Sequence, residues 1–179
     1  MDSVLPQAYL IGLIVLLAGA AVVVARQILR VRRDELALSR YDSDGKKPGD
    51  AAGLYELASV QLRKRLYGQA LDNLKLAAKR AEAEGEPAEA RAVIQNALGF
   101  SLAAQSNYKT AVKHYRLALE AKPNYPVALN NLAFALEKQQ KLEEAQATYE
   151  KVLSLDAANK TAKKRLKLLE RKGGLNEAA

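Results

Sequence analysis

The side chains that most often carry out chemistry are scarce in this sequence. It has no cysteine, which excludes disulfides, thiolate metal sites and cysteine nucleophiles, and its single histidine is His114. No Ser, Asp or Cys stands at a spacing that would pair with His114, so we expect a surface residue on the outer side of a helix. Neither a glycine-rich phosphate loop nor a metal-ligand spacing is present. We therefore expect no metal and no cofactor, and predict that the protein acts by binding rather than as an enzyme.

The composition favours helices but leaves the class of partner open. Apolar residues make up 49% of the chain, there is no tryptophan, and good helix formers (Ala, Leu, Lys, Glu, Gln) dominate. The net charge of +8 lies almost wholly in residues 51–179, which hold 21 Lys and Arg against 14 Asp and Glu. A basic domain of this kind could meet nucleic acid, an anionic membrane surface or an acidic protein.

A segment near the N-terminus is apolar enough to span a membrane. Residues 8–25 are 18 positions without a charge, about 27 Å as a helix. A cleaved signal peptide is disfavoured because residues 1–7 contain no Lys or Arg, and a buried core helix because the stretch has no polar face. We expect an anchor over residues 1–33 and a polar linker over residues 34–50. The basic residues after the apolar stretch place the C-terminal domain in the cytoplasm or its organellar equivalent; they are Arg26, Arg30, Arg32 and Arg33.

A repeat governs the rest of the chain. Ala70, Ala111 and Ala145 are equivalent, each with Tyr or Leu three residues before and Leu or Tyr four residues after. The second and third are 34 residues apart and the first and second 41, so seven residues are inserted around 83–90. The middle unit has the most complete pattern, with Leu98, Gly99, Leu102, Tyr108, Ala111, Tyr115, Ala118 and Pro123. This pattern resembles the tetratricopeptide repeat (TPR), a 34-residue helical pair.

The resemblance implies an all-α fold. The predicted fold consists of a single N-terminal transmembrane helix, an α-solenoid of about three TPR repeats and a C-terminal capping helix that closes the solenoid. The predicted boundaries are 51–91 for the first repeat with its insertion, 92–125 and 126–159 for the others, 160–172 for the capping helix and 173–179 for a frayed tail.

In TPR folds the ligand surface is a concave face built mainly from the first helix of each repeat. The register places ten residues on that face: Tyr55, Ser59, Val93, Asn96, Ala97, Phe100, Val127, Asn130, Asn131 and Phe134. Phe100 and Phe134 are the only phenylalanines and share one repeat position, which favours a role as apolar anchors for a partner segment. The alternative is that both rings pack between helices. Co-chaperone TPR domains clamp acidic tails with Lys and Asn at five positions, and none of these matches here, which disfavours that activity.

The capping helix is strongly basic, and its charges include Lys163, Lys164, Arg165 and Lys167. Contact with anionic lipid or an acidic partner is one interpretation, and a solvated surface is the other. Nucleic acid is not expected as a partner, because no aromatic residues interleave the charges for base stacking.

The N-terminal segment narrows the resemblance. Leu5-Pro6-Gln7 before the apolar stretch and Arg26-Gln27 after it, followed by three repeats, resemble the small membrane-anchored TPR proteins of cyanobacteria and chloroplasts linked to photosystem I assembly. The resemblance implies a single-pass thylakoid protein with its repeats on the cytoplasmic or stromal side. It would bind photosystem I subunits or assembly intermediates. The competing interpretation is a general membrane-anchored receptor or chaperone associated with the protein-insertion machinery.

Overall fold

The chain divides into two compact units, Met1–Lys46 and Lys47–Ala179. A computed structural model describes residues 4–43 and 48–177. These residues form eight α-helices and no strand, which confirms the predicted all-α class. The first unit contains α1 (Val4–Ser43). The second, here called the repeat domain, contains α2 (Ala51–Arg63), α3 (Tyr67–Ala83), α4 (Ala88–Ala104), α5 (Tyr108–Ala121), α6 (Pro126–Lys138), α7 (Leu142–Leu155) and α8 (Lys160–Glu177).

Helix α1 is 40 residues long and carries the apolar segment. Its part Ala8–Arg33 includes an 18-residue stretch with a mean hydropathy of 2.7 and is long and apolar enough to cross a membrane, judged by length and composition. The predicted linker over 34–50 is wrong in its first ten residues, because α1 continues to Ser43. Residues 34–43 contain neither Gly nor Pro, so nothing in them interrupts a helix. Residues 44–47 of that linker lie outside the described residues.

The helices of the repeat domain pair in order along the chain. Helix α2 packs on α3, α4 on α5 and α6 on α7, and α8 packs on α7. Helix α4 also contacts both α2 and α6, so the first helices of the three pairs line one side of the domain. This arrangement is the three-repeat α-solenoid with a C-terminal helix that the sequence predicts.

The turn inside each pair uses the same geometry three times. Arg65, Ser106 and Gln140 are left-handed, with φ of 62°, 63° and 61°. In each turn the next residue's N–H bonds to a carbonyl five residues back, as Asn107 does to Leu102 at 2.9 Å. This bond satisfies a carbonyl at the end of the first helix and reverses the chain.

The core between paired helices combines small and large side chains that pack against each other. Ala70, Ala111 and Ala145 are fully buried, which lets the backbones approach closely. Tyr115 is 1% exposed and packs directly over Gly99, where a side chain would collide with its ring. The small residues of the repeat pattern are therefore determined by close helix packing.

The seven inserted residues lengthen helices and not a loop. Helices α3 and α4 each have 17 residues, whereas α5 and α7 have 14 and α6 has 13. The turn between α3 and α4 spans residues 84–87, as short as the turn at residues 122–125. The insertion thus adds about one turn to the end of α3 and one to the start of α4. Residue 92, the predicted start of the second repeat, lies one turn inside α4.

Two features mark the C-terminal end of the repeat domain. Helix α7 ends at Leu155 without the usual proline, because Asp156 accepts a bond from the Ala158 N–H at 3.1 Å and Asn159 accepts one from the Ala162 N–H at 3.1 Å. These bonds start α8 as caps do. Helix α8 continues through residues 173–177, which the sequence places in the predicted tail. Gly173 and Gly174 lower helix propensity without forbidding the conformation.

Candidate protein-binding groove

The predicted groove residues all come from α2, α4 and α6, the three helices that line one side of the repeat domain. Phe100 and Val127 are exposed at 44% and 52%, and Ala97 is buried. The others are half-buried: Tyr55, Ser59, Val93, Asn96, Asn130, Asn131 and Phe134. Partly buried side chains of mixed apolar and amide character give a surface that can bind both side chains and backbone of a peptide.

A polar strip crosses the groove from helix to helix. The Asn131 Nδ2 donates to the Asn96 Oδ1 at 3.0 Å, which links α6 to α4. The side chain of Tyr125 lies near Asn96 of α4 and Tyr55 of α2. Burial raises the pKa of Tyr125, and nearby Tyr55 adds to the rise. Since Tyr125 stays a neutral phenol, it can both donate to and accept from a partner's backbone.

Tyr125 belongs to the groove but was not predicted from the sequence. Tyr125 lies in the turn before α6, whereas the repeat register predicts groove residues only on the first helix of each repeat. Its position directly before Pro126 was the available signal, because a residue before proline is held in an extended conformation at the start of a helix.

The two phenylalanines share a repeat position but not an environment. The Phe134 ring packs edge-on against Tyr108, with centroids 6.3 Å apart. The Lys138 Nζ and the Arg165 Cζ lie 5.4 Å and 5.0 Å from its centroid, so two cations cover the ring. Phe100 is 44% exposed, and among the described residues no aromatic ring or cation covers it. Asn131 stands 34 residues before Arg165, at the equivalent repeat position. Packing between helices therefore describes Phe134, whereas Phe100 is available as an anchor.

Of the four predicted basic residues of the capping helix, one faces the groove. Lys163, Lys164 and Lys167 are exposed. Arg165 instead bonds the Glu137 Oε1 at 3.4 Å, with side chains 32% and 11% exposed. Ala162, Leu166 and Leu169 form the buried face of α8, and Arg165 falls on the same face by helical spacing. The sequence pattern of apolar residues already contained this signal.

Asn130 has a structural role more than a ligand-binding one. Its Nδ2 donates to the Asn159 Oδ1 at 3.3 Å, and Asn159 also begins α8. The bond joins α6 to the first turn of the capping helix. The Nδ2 is therefore already engaged, and the Oδ1 is buried without a hydrogen-bond partner.

His114 is half-buried between helices, which corrects the expectation of a surface residue. Its Nδ1 lies 2.8 Å from the Gln95 Oε1 of α4. Burial lowers the pKa of His114, and the nearby Lys113 and Lys75 lower it further. Within residues 4–43 and 48–177, no group of three His, Asp or Glu side chains is placed to hold a metal ion.

The comparisons with known proteins agree with this architecture. Residues 102–167 match the model of a tetratricopeptide repeat family. The chain is 33% identical over 170 residues to the Ycf37 protein of Guillardia theta, with 94% of each chain covered. The chain belongs to the Ycf37 family. This confirms the resemblance to TPR proteins of cyanobacteria and chloroplasts, and the repeat domain is a protein-interaction scaffold.

A longer relative and several solved structures extend the comparison. The chain is 34% identical to the chloroplastic TPR domain-containing protein PYG7 of Arabidopsis thaliana over 88% of its length, and spans about half (52%) of that protein. The first TPR domain of Spaghetti (RPAP3), solved with an HSP90 peptide, superposes with a TM-score of 0.64 at 22% identity, covering 70% of this chain and 94% of that one. The Sgt2 TPR domain of Aspergillus fumigatus also gives 0.64, at 19% identity, covering 74% and 84%. At these identities the structural likeness concerns the fold.

Proposed function

We propose that this Ycf37-family chain is a membrane-tethered TPR scaffold that assists the assembly or stability of photosystem I by binding its subunits or assembly intermediates. Helix α1 would cross the thylakoid membrane once. The arginines after its apolar part would hold the repeat domain on the cytoplasmic or stromal side.

The observation that carries the proposal is the extent of the similarity to Ycf37. It covers 94% of both chains, so it includes most of the apolar part of α1 as well as the repeats. A second relative over most of the chain is named as chloroplastic. The link to photosystem I comes from the resemblance of the anchor and repeats to a family associated with that complex.

The groove supplies the means of binding. Phe100 offers an exposed ring, and on the same side of the domain the Asn96, Asn131 and Tyr125 side chains offer donors and acceptors for a peptide backbone. An apolar anchor surrounded by polar groups is the usual organisation of a protein-binding hot spot.

The test combines deletion with one surface variant in a cyanobacterium. Deleting the gene should lower the level of photosystem I, and the wild-type gene should restore it. Phe100→Ser should fail to restore it, because it removes the exposed anchor while leaving a site that solvent already reaches. The matched control is Leu117→Ser, since Leu117 is 43% exposed on α5, a second helix, and Phe100 is 44% exposed on α4.

Affinity purification from solubilised membranes separates the proposal from its competitor. Photosystem I subunits should be retained by the wild type and by Leu117→Ser, but not by Phe100→Ser. Retention of translocase components in their place would assign the chain to the protein-insertion machinery. Unchanged photosystem I in the deletion strain under stress would refute the proposal.

A further inference from the structure

The inserted residues of the first repeat line a cavity between α2 and α4. The extra turn at the start of α4 stands beside the first turns of α2. The cavity between them is open, with a volume of about 320 Å³, and is here called the insertion pocket. Its floor is apolar and is formed by the Tyr55, Ala90, Val93 and Ile94 side chains with the start of α2. The volume lies at the low end of the range of ligand sites, about 300–1,000 Å³, which suits a bulky side chain with its flanking backbone.

The rim of the insertion pocket is acidic within a basic protein. Residues 81–90 contain four glutamates and no Lys or Arg, although the chain carries a net charge of +8. Glu86 and Glu89 line the pocket. Glu84 is already used, because its Oε2 accepts a bond from the Ala51 N–H at 3.2 Å. Among the described residues, Glu86 and Glu89 form no ion pair. Two carboxylates are thus free at the mouth of an apolar cavity.

The pocket is continuous with the groove. Tyr55 and Val93 line the pocket and also belong to the predicted groove on α2 and α4. A segment that places one side chain in the pocket can therefore continue toward Asn96 and Phe100. The groove then has a definite acidic end, which would fix the direction in which a partner segment lies.

From these features we infer that the insertion pocket binds a basic juxtamembrane segment of an integral membrane protein, in which an apolar side chain adjoins Lys or Arg. The apolar side chain enters the cavity, and the cation pairs with Glu86 and Glu89. Segments on the positive side of a membrane are rich in Lys and Arg next to the apolar ends of their spans. The choice of this partner rests on the proposed function, since a domain tethered on that side meets such segments.

Peptide binding to the full chain in detergent micelles tests the inference. The probe is the fluorescein-labelled peptide GSLFRKSG, and its controls are GSLFEESG, which reverses the charge, and GSSSRKSG, which removes the apolar pair. Fluorescence anisotropy at 50 and 300 mM NaCl gives the affinities. The first peptide should bind, more weakly at the higher salt, and both controls should bind at least fivefold more weakly.

Variants assign the binding to the pocket. Glu86→Gln with Glu89→Gln should weaken binding of GSLFRKSG about fivefold at 50 mM NaCl and remove most of its salt dependence. Ala90→Trp should abolish binding by filling the cavity. Glu120→Gln with Glu143→Gln, an equal change in charge at exposed sites on α5 and α7, should leave the affinity within twofold. If circular dichroism shows Ala90→Trp to be unfolded, the glutamine pair decides alone. Equal binding of GSLFEESG, or an unchanged affinity of the Glu86/Glu89 variant, overturns the inference.

The inference and the proposed function can fail separately. If photosystem I subunits copurify equally well with the wild type and with the Glu86/Glu89 variant, the insertion pocket has no part in that binding, and the scaffold function stands. If the peptides follow the predicted pattern but no photosystem I subunit copurifies, the pocket stands and the proposed function fails.

Discussion

Replacing Gly99 with alanine should destabilise the repeat domain, although alanine is the better helix former. An ideal Cβ on Gly99 would lie 2.5 Å, 2.7 Å and 3.0 Å from the Cε1, Cδ1 and Cζ atoms of Tyr115. Tyr115 is 1% exposed, so its ring cannot move into solvent. Overpacking of this kind costs about 1–3 kcal/mol, and three close contacts place it in the upper half of that range. Helix propensity returns about 1 kcal/mol, which leaves a net loss of about 1–2 kcal/mol.

Urea unfolding of the full chain in detergent, followed by circular dichroism at 222 nm, measures this loss. In a thermal melt followed by the same signal, the midpoint should fall by about 3–8 °C for a domain of this size. The matched control is Gly68→Ala near the start of α3, where an added Cβ meets nothing within 4 Å. That variant should be as stable as the wild type or slightly more stable.

A coupled variant identifies the contact responsible. In a Tyr115→Leu background the flat ring is gone, so Gly99→Ala should cost less than it does in the wild type. A Gly99→Ala protein at least as stable as the wild type would refute the packing argument. So would an equal loss in both backgrounds, because the cost would then not come from the Tyr115 ring.

Three further predictions concern buried polar contacts. Arg165→Leu should cost about 1–3 kcal/mol of unfolding free energy by leaving the mostly buried Glu137 carboxylate unpaired, whereas Glu137→Gln should cost less because Arg165 can still reach solvent. Ser101→Ala should cost about 1 kcal/mol, because the fully buried hydroxyl donates to the Tyr67 carbonyl at 2.8 Å. His114 has a pKa below its ordinary value of 6.5 in the folded chain, so the unfolded chain binds the proton more tightly and stability falls as the pH drops below about 6.5. His114→Gln should remove that part of the decline, measured by urea unfolding between pH 5 and pH 7.5.

Each of these predictions has a result that contradicts it. Equal losses of unfolding free energy for Arg165→Leu and Glu137→Gln would show that the cost does not come from leaving the Glu137 carboxylate unpaired. Ser101→Ala should lose more than Ser154→Ala, whose hydroxyl is exposed on α7, and equal effects would deny the Tyr67 bond a role. Parallel pH profiles for the wild type and His114→Gln would place the pH dependence elsewhere.

Much of the fold could be predicted because a repeat is recorded locally in the sequence. The Ala70, Ala111 and Ala145 positions and the 34-residue spacing are enough to locate the helical pairs. The turns inside the pairs were not predicted in detail. Their left-handed residues are Arg65, Ser106 and Gln140, and none is the glycine that normally marks this conformation.

The sequence predicts which residues of the candidate site share a face, but it does not predict how exposed each side chain is. The repeat positions placed Phe100 and Phe134 on one face, and the structure has both on first helices. Arg165 of α8 covers the Phe134 ring, whereas the Phe100 ring is 44% exposed. That difference is a contact between residues 31 apart in sequence, which a register of single positions does not contain.

The sequence by itself determined the helical content, the order of the repeats and the apolar N-terminal segment, since each depends on the residue types within a few turns of helix. The tertiary structure decided how the seven inserted residues are used. The stretch AEAEGEPAEA predicts that the second helix of the first repeat runs long and breaks near Gly85 and Pro87, but it does not predict the extra turn at the start of α4. Packing favours the longer helices, because Ala81 near the end of α3 and Ala92 near the start of α4 are both buried. The insertion pocket follows from that choice and is invisible in the sequence for the same reason.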